Sequence, residues 1–178
     1  MADSDSPDDG LLRCFPPLHD RDSRILILGS MPGAESLRRQ QYYAHPRNAF
    51  WPVIEALFGI DHALPYGERA RRLVRQGVAL WDVMRACRRR GSLDSAIERE
   101  SIETNDLAAF FQTHPALDAV FFNGGTAERT FRREIVARWP DADWLPTTRI
   151  RLTSTSPANA RPNLADKIAQ WQVLLSYL

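Results

Sequence analysis

The sequence has 178 residues, of which 44% are apolar and 25% charged, as in an ordinary globular domain. This composition excludes a chain that is disordered throughout, and no apolar run approaches the roughly 20 residues that span a bilayer. The acidic first ten residues lack the apolar segment of a signal peptide. We therefore predict a disordered tail over residues 1–10, one domain over residues 11–178, no membrane partner and a cytoplasmic location.

The formal net charge is +1. Four acids, Asp3, Asp5, Asp8 and Asp9, lie in the tail, so the rest of the chain carries 23 cations against 18 acids. That excess is too small to indicate nucleic-acid binding by itself. All the cations are arginines except Lys167, which leaves one side chain for amine chemistry.

Two cysteines, Cys14 and Cys87, lie far apart, and neither a CxxC nor an HExxH pattern occurs. The sequence therefore predicts no structural zinc, no iron–sulfur cluster and no disulfide framework. We expect no metal and no cofactor.

In chain order the predicted elements are a strand over residues 24–29, helices over 49–59 and 68–76, a strand over 77–83, a helix over 105–114, a strand over 117–124, a helix over 126–139, a strand over 148–156 and a helix over 163–178. Asn105 or Thr104 is the candidate cap of the middle helix. Short buried strands that alternate with helices predict an α/β fold: a three-layer αβα sandwich around a four- or five-stranded, mainly parallel sheet.

Ligands of such sheets bind beyond the carboxyl ends of the strands. The segments expected along that rim are residues 29–48, 82–90, 123–125 and 154–159. Residues 29–37, GSMPGAESL, contain glycines that allow close backbone approach to a ligand. They match neither GxGxxG nor a P-loop, and an ordinary strand-to-loop turn explains them equally well.

Two further segments carry candidate chemistry. Residues 41–51, QYYAHPRNAFW, place aromatic rings beside amide and imidazole groups, which suits a flat heterocycle, although a local hydrophobic plug is the alternative. Residues 153–160, TSTSPANA, form a loop of small hydroxyl side chains that could hold phosphate oxygens. A plain Ser/Pro-rich loop is the alternative there.

GSMPG, YYAHPRNAFW and STSPANA, in this order and at strand ends, together resemble the uracil-DNA glycosylase superfamily and, more narrowly, its hypoxanthine (deoxyinosine) DNA glycosylase branch. The similarity extends over residues 24–178. It implies a parallel sheet between helices, which agrees with the fold predicted above.

The resemblance implies that Asn48 positions the attacking water, with His45 beside it as a second catalytic candidate. Tyr43 occupies the place where relatives stack the extruded base. In mismatch-specific relatives the loop after the first strand carries an asparagine, and this chain has Met31 there. Methionine can neither orient nor deprotonate water.

Asp82 aligns with the asparagine that reads the pairing edge of uracil in relatives. A carboxylate there can accept the N1–H of hypoxanthine, and activity on uracil stays open. We also place Gly29, Met31 and Phe50 beside the base. The loop that pinches the minor groove in relatives implies contacts to DNA from Ser154, Thr155, Ser156, Pro157 and Asn159.

The resemblance therefore implies a monomeric, monofunctional hydrolase that removes hypoxanthine from deoxyinosine in DNA during base excision repair, with uracil and xanthine left open. Its partner would be DNA that contains deaminated bases. The alternative is a non-catalytic α/β module that binds a nucleotide or phosphate. We expect Lys167 to be exposed and protonated on a helix behind the rim, and so unable to attack the sugar.

Overall fold

The computed structural model describes residues 10–178, and the alternation of side chains along its central strands explains its layers. Strand β2 (Ile25–Gly29) is buried along its whole length. Ile25 and Ile27 pack into one apolar cluster, and Leu26 and Leu28 pack into a second cluster on the opposite face. A strand with apolar side chains on both faces needs a cover on each side. The predicted disordered tail, apart from Gly10, lies outside the described residues.

The main sheet has four parallel strands. Strand β2 pairs with β3 (Val78–Asp82) on one side and with β6 (Ala119–Asn123) on the other. Strand β7 (Thr148–Leu152) completes the order β3-β2-β6-β7. All four strands fall within the segments predicted from the sequence, so the α/β fold with a mainly parallel sheet is confirmed.

The helices cover the two faces as the alternation requires. Helices α2 (Phe50–Phe58), α3 (Tyr66–Arg75) and α6 (Leu164–Trp171) contribute to the first cluster. Helices α4 (Leu107–Thr113) and α5 (Gly125–Phe131) contribute to the second. The predicted three-layer αβα arrangement is therefore present.

Several predicted boundaries differ from the structure. The helix predicted over residues 126–139 is α-helical only to Phe131 and continues as a π-helical turn, Arg132–Val136. The last helix becomes 3-10 helix over Gln172–Tyr177. The cap of α4 is Asp106, whose side chain accepts from the Ala109 amide at 3.0 Å.

A small antiparallel sheet that the sequence does not predict lies beside β3. It consists of β1 (Leu12–Arg13), β4 (Met84–Cys87) and β5 (Glu103–Thr104). Helix α1 (Ala34–Arg39) is likewise absent from the predicted elements. These elements are two to six residues long, which is too short for hydrophobic periodicity to reveal them. None of the helices between residues 10 and 178 is long and apolar enough to cross a membrane.

Candidate active site

A cavity of about 540 Å³ opens at the carboxyl ends of the four parallel strands. Gly29, Asp82 and Asn123 end strands β2, β3 and β6, and Ser154 follows β7; all four line the cavity. This is the rim where a doubly wound sheet binds its ligands. The volume is in the range of small-molecule sites and can take a nucleobase.

All of the predicted site residues except Phe50 line this cavity: Gly29, Met31, Tyr43, His45, Asn48, Asp82, Ser154, Thr155, Ser156, Pro157 and Asn159. Three segments that are distant in the sequence therefore meet at one place, as their positions after the strands predict.

The carboxyl group of Asp82 is an unusual ionisable group, because it is buried in the site. The residue is 3% exposed, and its Oδ2 atom has no hydrogen-bond partner in the described part of the chain. Burial raises the pKa of Asp82 to about 8; the nearby charge of Asp94 adds to this, and the guanidinium of Arg89 opposes it. At pH 7 Asp82 is therefore mainly a neutral acid rather than the carboxylate expected from the sequence. A neutral acid offers one donor and one acceptor.

Gly29 makes room for this carboxyl group. A Cβ atom at position 29 would lie 2.4 Å from Asp82 Oδ1 and 3.1 Å from the Tyr43 hydroxyl oxygen. Any side chain there would displace both polar groups. The role of Gly29 is therefore steric, and it lets two polar atoms approach the end of β2.

Tyr43 has a positive φ of 55°, which is uncommon for a residue other than glycine. Its ring stacks on Phe50 with centroids 4.0 Å apart and an interplanar angle of 20°. Its hydroxyl is buried and makes no hydrogen bond of ordinary geometry among residues 10–178, although the Asn123 side chain is a potential partner.

Phe50 itself is completely buried in the core and lies outside the cavity lining. The expectation that Phe50 contacts the base is therefore not met: it packs behind Tyr43 and supports that ring.

Asn48 and His45 sit on a turn that leads into α2. The Asn48 side-chain oxygen accepts from the Phe50 amide at 2.9 Å, which leaves its second lone pair for another donor. His45 Nδ1 accepts from the Arg47 amide at 3.1 Å. A neutral imidazole with Nδ1 as acceptor carries its proton on Nε2, so Nε2 is available as a donor.

Met31 lines the cavity, but its side chain packs with Met84 and Cys87 and is 6% exposed. The backbone amides of Met31 and Gly33 donate to no protein acceptor among the described residues. Pro32 between them has no N–H. The loop after β2 can therefore offer two amide donors to a ligand.

The loop of residues 154–159 is held by Asn123. The Asn123 amide nitrogen donates to the Thr155 hydroxyl at 2.8 Å, and its amide oxygen accepts from the Thr155 amide at 2.9 Å. Thr155 is completely buried, and its carbonyl accepts from Ala49 at 3.0 Å. The Thr155 side chain is therefore already hydrogen-bonded within the protein, and a contact between Thr155 and DNA stays a prediction.

Ser154 and Ser156 are partly exposed in the same loop, and each hydroxyl oxygen accepts from a backbone amide two residues later. Their hydroxyl hydrogens remain available to an acceptor. The Asn159 side chain donates to the Ser154 carbonyl at 3.1 Å, so it closes the loop upon itself.

Lys167 corrects another expectation. The residue was expected to be exposed, but it is buried, with 5% of its surface accessible. Its Nζ donates to the Asn159 carbonyl at 2.7 Å. Burial lowers the pKa of this ammonium group. Lys167 therefore holds the loop of residues 154–159 through the Asn159 carbonyl, and it does not line the cavity.

One wall of the cavity was missed by sequence reasoning. Ser92, Leu93 and Asp94 also line the cavity, and the Ser30 hydroxyl donates to the Asp94 carboxylate at 2.8 Å. These residues belong to a polar, arginine-rich connection without strand or helix periodicity. Its composition gave no signal that it returns to the site.

Outside the cavity, one group within residues 10–178 has the geometry of a metal-binding cluster: Glu55, Asp61 and His62. All three are at least partly exposed, and His62 Nδ1 already contacts the Glu55 carboxylate. None of them lines the cavity. Exposed groups of this kind are not evidence of a site.

The buried acid predicts a pH dependence of stability. Folded Asp82 keeps its proton up to about pH 8, whereas in the unfolded chain it loses the proton near its ordinary pKa of 3.8. Between these values the folded state binds more protons, so the free energy of unfolding falls as pH rises. We expect Asp82→Asn to gain stability relative to the wild type between about pH 5 and about pH 8, in urea unfolding.

Asp141→Asn, at an exposed position outside the cavity, controls for the change in charge. The difference in the free energy of unfolding between the wild type and Asp82→Asn should change over this pH range. A constant difference would contradict the raised pKa of Asp82.

The comparisons with known proteins agree with this geometry. The family model of the uracil DNA glycosylase superfamily matches residues 16–175. The chain is 41% identical over 111 residues to a hypoxanthine DNA glycosylase of Methanosarcina barkeri, which covers 62% of this chain and 69% of the relative. It is 40% identical over 116 residues to a hypoxanthine DNA glycosylase of Methanosarcina acetivorans, and this match covers 65% of this chain and 72% of the relative.

Among solved structures, the solution NMR structure of a candidate uracil DNA glycosylase from Methanosarcina acetivorans matches with a TM-score of 0.72 and 32% identity. The match covers 93% of this chain and 99% of that one. The family match extends over all four strands of the main sheet and the cavity at their carboxyl ends. The chain belongs to the uracil DNA glycosylase superfamily.

Proposed function

We propose that this DNA glycosylase takes hypoxanthine, extruded from a deoxyinosine site, into the cavity and hydrolyses its bond to the sugar. The observation that carries the substrate assignment is the buried Asp82 carboxyl in the cavity, whose Oδ2 has no hydrogen-bond partner within residues 10–178. The names of the two Methanosarcina relatives support it. Uracil and xanthine are the alternatives to compare.

Hypoxanthine offers an N1–H donor next to an O6 acceptor. The carbonyl oxygen of a neutral Asp82 accepts from N1–H, and its hydroxyl donates to O6. Because Asp82 Oδ2 is buried without a partner in the described chain, a base that supplies one gains the full value of a buried hydrogen bond. An unmatched base leaves the group unsatisfied, which is a strong source of discrimination.

Asn48 holds the attacking water in this mechanism. Its side-chain oxygen already accepts from Phe50, which fixes the amide plane, and its remaining lone pair accepts from water. Asn48 orients the water and does not deprotonate it, because an amide is not a base at neutral pH. This fits a reaction whose sugar becomes strongly electrophilic as the base departs.

The departing base develops negative charge, and fixed donors stabilise it. The free amides of Met31 and Gly33 and the Nε2–H of His45 fill this role in the proposal. The neutral form of Asp82 fits as well, since a carboxylate beside the anion would raise the barrier. Ser154 and Ser156 donate their hydroxyl hydrogens to the phosphates that flank the extruded nucleotide.

The alternative, a non-catalytic module that binds a nucleotide or phosphate, would use the same serine loop. It gives no reason for a buried acid without a partner in the same cavity as Asn48. Incubation with a deoxyinosine duplex followed by alkali separates the two. Strand scission at the lesion supports the glycosylase, and DNA binding without scission supports the module. Duplexes that contain uracil, xanthine or adenine at the same position define the substrate range.

Asn48→Ala should lower the single-turnover rate of hypoxanthine release at least ~100-fold, because it removes water positioning at the reacting carbon. Duplex affinity should stay within a few-fold, since the phosphate contacts remain. Asn48→Asp, which keeps an oxygen acceptor for water and for the Phe50 amide, should retain more activity than Asn48→Ala.

The Asn48 side chain also accepts from the first turn of α2, so its loss should cost about 1 kcal/mol of stability, which urea unfolding measures. Near wild-type release by a folded Asn48→Ala protein would remove Asn48 from the mechanism.

We further propose that the enzyme is monofunctional and leaves an intact abasic strand. A lyase needs a free amine at the sugar. The Lys167 Nζ is instead bound to the Asn159 carbonyl behind the loop. Borohydride should trap no covalent adduct between the protein and DNA that contains deoxyinosine. A trapped adduct that disappears in Lys167→Ala would overturn this proposal.

The monomeric state, the absence of a metal, the cytoplasmic location and a role in base excision repair stay predictions.

A further inference from the structure

A buried guanidinium lies behind the segment of residues 92–94. The Arg89 side chain is completely buried, and it donates to the Pro32 carbonyl at 2.5 Å and to the Gly91 carbonyl at 3.0 Å. Its Nη1 atom has no hydrogen-bond partner in the described part of the chain, and Arg89 does not line the cavity. A positive charge that is removed from water in this way needs a negative charge nearby.

Asp94 supplies that negative charge. One oxygen of its carboxylate lies 3.9 Å from Arg89 Nη1, which is too long for a hydrogen bond but within the range of an ion pair. The other oxygen accepts from the Ser30 hydroxyl at 2.8 Å. The Asp94 side chain is 36% exposed and lines the cavity. The ion pair therefore has its cation inside the protein and its anion at the wall of the site.

Ser30 connects this ion pair to Asp82. Ser30 follows Gly29, and a Cβ atom on Gly29 would lie 2.4 Å from Asp82 Oδ1. The Met84 amide donates to the Ser30 carbonyl at 3.1 Å, directly beyond the register pair of Gly29 and Asp82. Asp94 is therefore hydrogen-bonded to the residue next to the glycine against which the Asp82 carboxyl rests. Two acids and one buried cation share this corner of the site.

The charges of Asp94 and Arg89 act on Asp82 in opposite directions. Burial has the largest effect on the pKa of Asp82 and raises it; the Asp94 charge also raises it, and the Arg89 charge lowers it. If Asp94 carried no charge, the buried cation would act unopposed and favour the carboxylate form of Asp82. With both charges present, they largely cancel at Asp82, and burial decides its protonation.

The neighbouring phenols and thiols add no charge near neutral pH. Burial raises the pKa of each of them above its ordinary value: Tyr42, Tyr43, Tyr66, Cys14 and Cys87. The remaining ionisable residues of the cavity lining are not among the groups whose charge acts on Asp82; they are Glu35, His45 and Arg47. Within residues 10–178, Asp94 and Arg89 are therefore the two charges that set the protonation of the buried acid.

We propose that Asp94 is a positioning residue: its carboxylate compensates the buried Arg89 cation, so that Asp82 keeps the hydrogen that it donates to the base. The proposal rests on the proposed function. Asp94 acts through Asp82 and needs no contact of its own with the base. Without the Asp94 charge, Asp82 ionises at lower pH, and O6 of hypoxanthine then meets a carboxylate oxygen in place of a donor.

The direct test is an NMR titration of the Asp82 carboxyl carbon in the free protein, because it follows the proton without any need for activity. The signal is assigned by its absence from Asp82→Asn. We expect Asp94→Asn to lower the midpoint of this titration by at least ~1 pH unit. Asparagine keeps an oxygen for the Ser30 hydroxyl, so the change removes the charge and retains the hydrogen bond.

Two control variants are matched to this change. Asp94→Glu keeps the charge, so its midpoint should stay within ~0.5 pH unit of the wild type. Glu100→Gln removes an acid at an exposed position outside the cavity, and the midpoint should not move.

A second pair of variants tests the effect of Asp94 with the cation absent, in case Asp94→Asn alone does not fold. Replacing a buried ion pair by an apolar side chain is often tolerated. Arg89→Met should raise the midpoint of Asp82, and the double variant Arg89→Met/Asp94→Asn should bring it back towards the wild-type value, because the two charges act in opposite directions.

Hypoxanthine release gives a further readout. The single-turnover rate of Asp94→Asn, divided by that of the wild type, should fall ~7-fold between about pH 6 and about pH 8.5, because a lower midpoint leaves less neutral acid at alkaline pH. In an Asp82→Asn background, Asp94→Asn should not change the shape of the pH profile, since no proton remains to be controlled. Titration of His45 is common to both proteins and cancels in the ratio.

Each outcome decides one claim. An Asp82 midpoint that is the same in Asp94→Asn and the wild type, or in Arg89→Met and the double variant, overturns the proposal. A lowered midpoint with an unchanged pH dependence of release refutes the role of Asp94 in the reaction. A wild-type protein that releases no base refutes the proposed function and that role with it, while the NMR titration still decides whether Asp94 keeps Asp82 neutral.

Discussion

The approach of a buried carboxyl group to a glycine is the constraint on which the site depends. Asp82 ends β3 and Gly29 ends β2, and the two are paired in register across the sheet. A Cβ at Gly29 would collide with the carboxyl oxygen. Because the acid is buried in this space with Oδ2 unpartnered within residues 10–178, it keeps its proton at neutral pH, and in the proposed function this neutral acid pairs with the base.

The other walls are fixed to this centre by backbone and amide hydrogen bonds. Asn123 makes two hydrogen bonds to Thr155, and the Thr155 carbonyl accepts from the amide of Ala49, next to Asn48. The loop of residues 154–159 and the turn that carries Asn48 are therefore joined. Buried Arg89 joins the loop after β2 to the segment of residues 92–94. The residues proposed to read the base, hold the water and contact DNA therefore share one hydrogen-bonded frame at the sheet edge, and catalysis gains from preorganised donors.

The sequence predicted the four parallel strands and the cavity at their carboxyl ends, because continuous apolar runs and the loops after them are local signals. It could not show that Thr155 and Lys167 are buried, since their partners Asn123 and Asn159 are known only once the loop is folded. Nor could it show that Phe50 lies in the core behind the Tyr43 ring instead of in the cavity lining, because that packing also exists only in the folded chain. The wall of residues 92–94 was missed because its anchors, among them Arg89 and Pro32, are 57 positions apart.

The measurement that tests the account most directly is the pH profile of hypoxanthine release by the wild type and by Asp82→Asn. The pKa of Asp82 is about 8, so wild-type single-turnover rates should fall above that pH as a carboxylate replaces the donor and opposes the anionic leaving base. Asparagine presents a similar donor and acceptor without titrating, so Asp82→Asn should stay active there. Parallel profiles for the two proteins would contradict the claim that a neutral Asp82 reads the base.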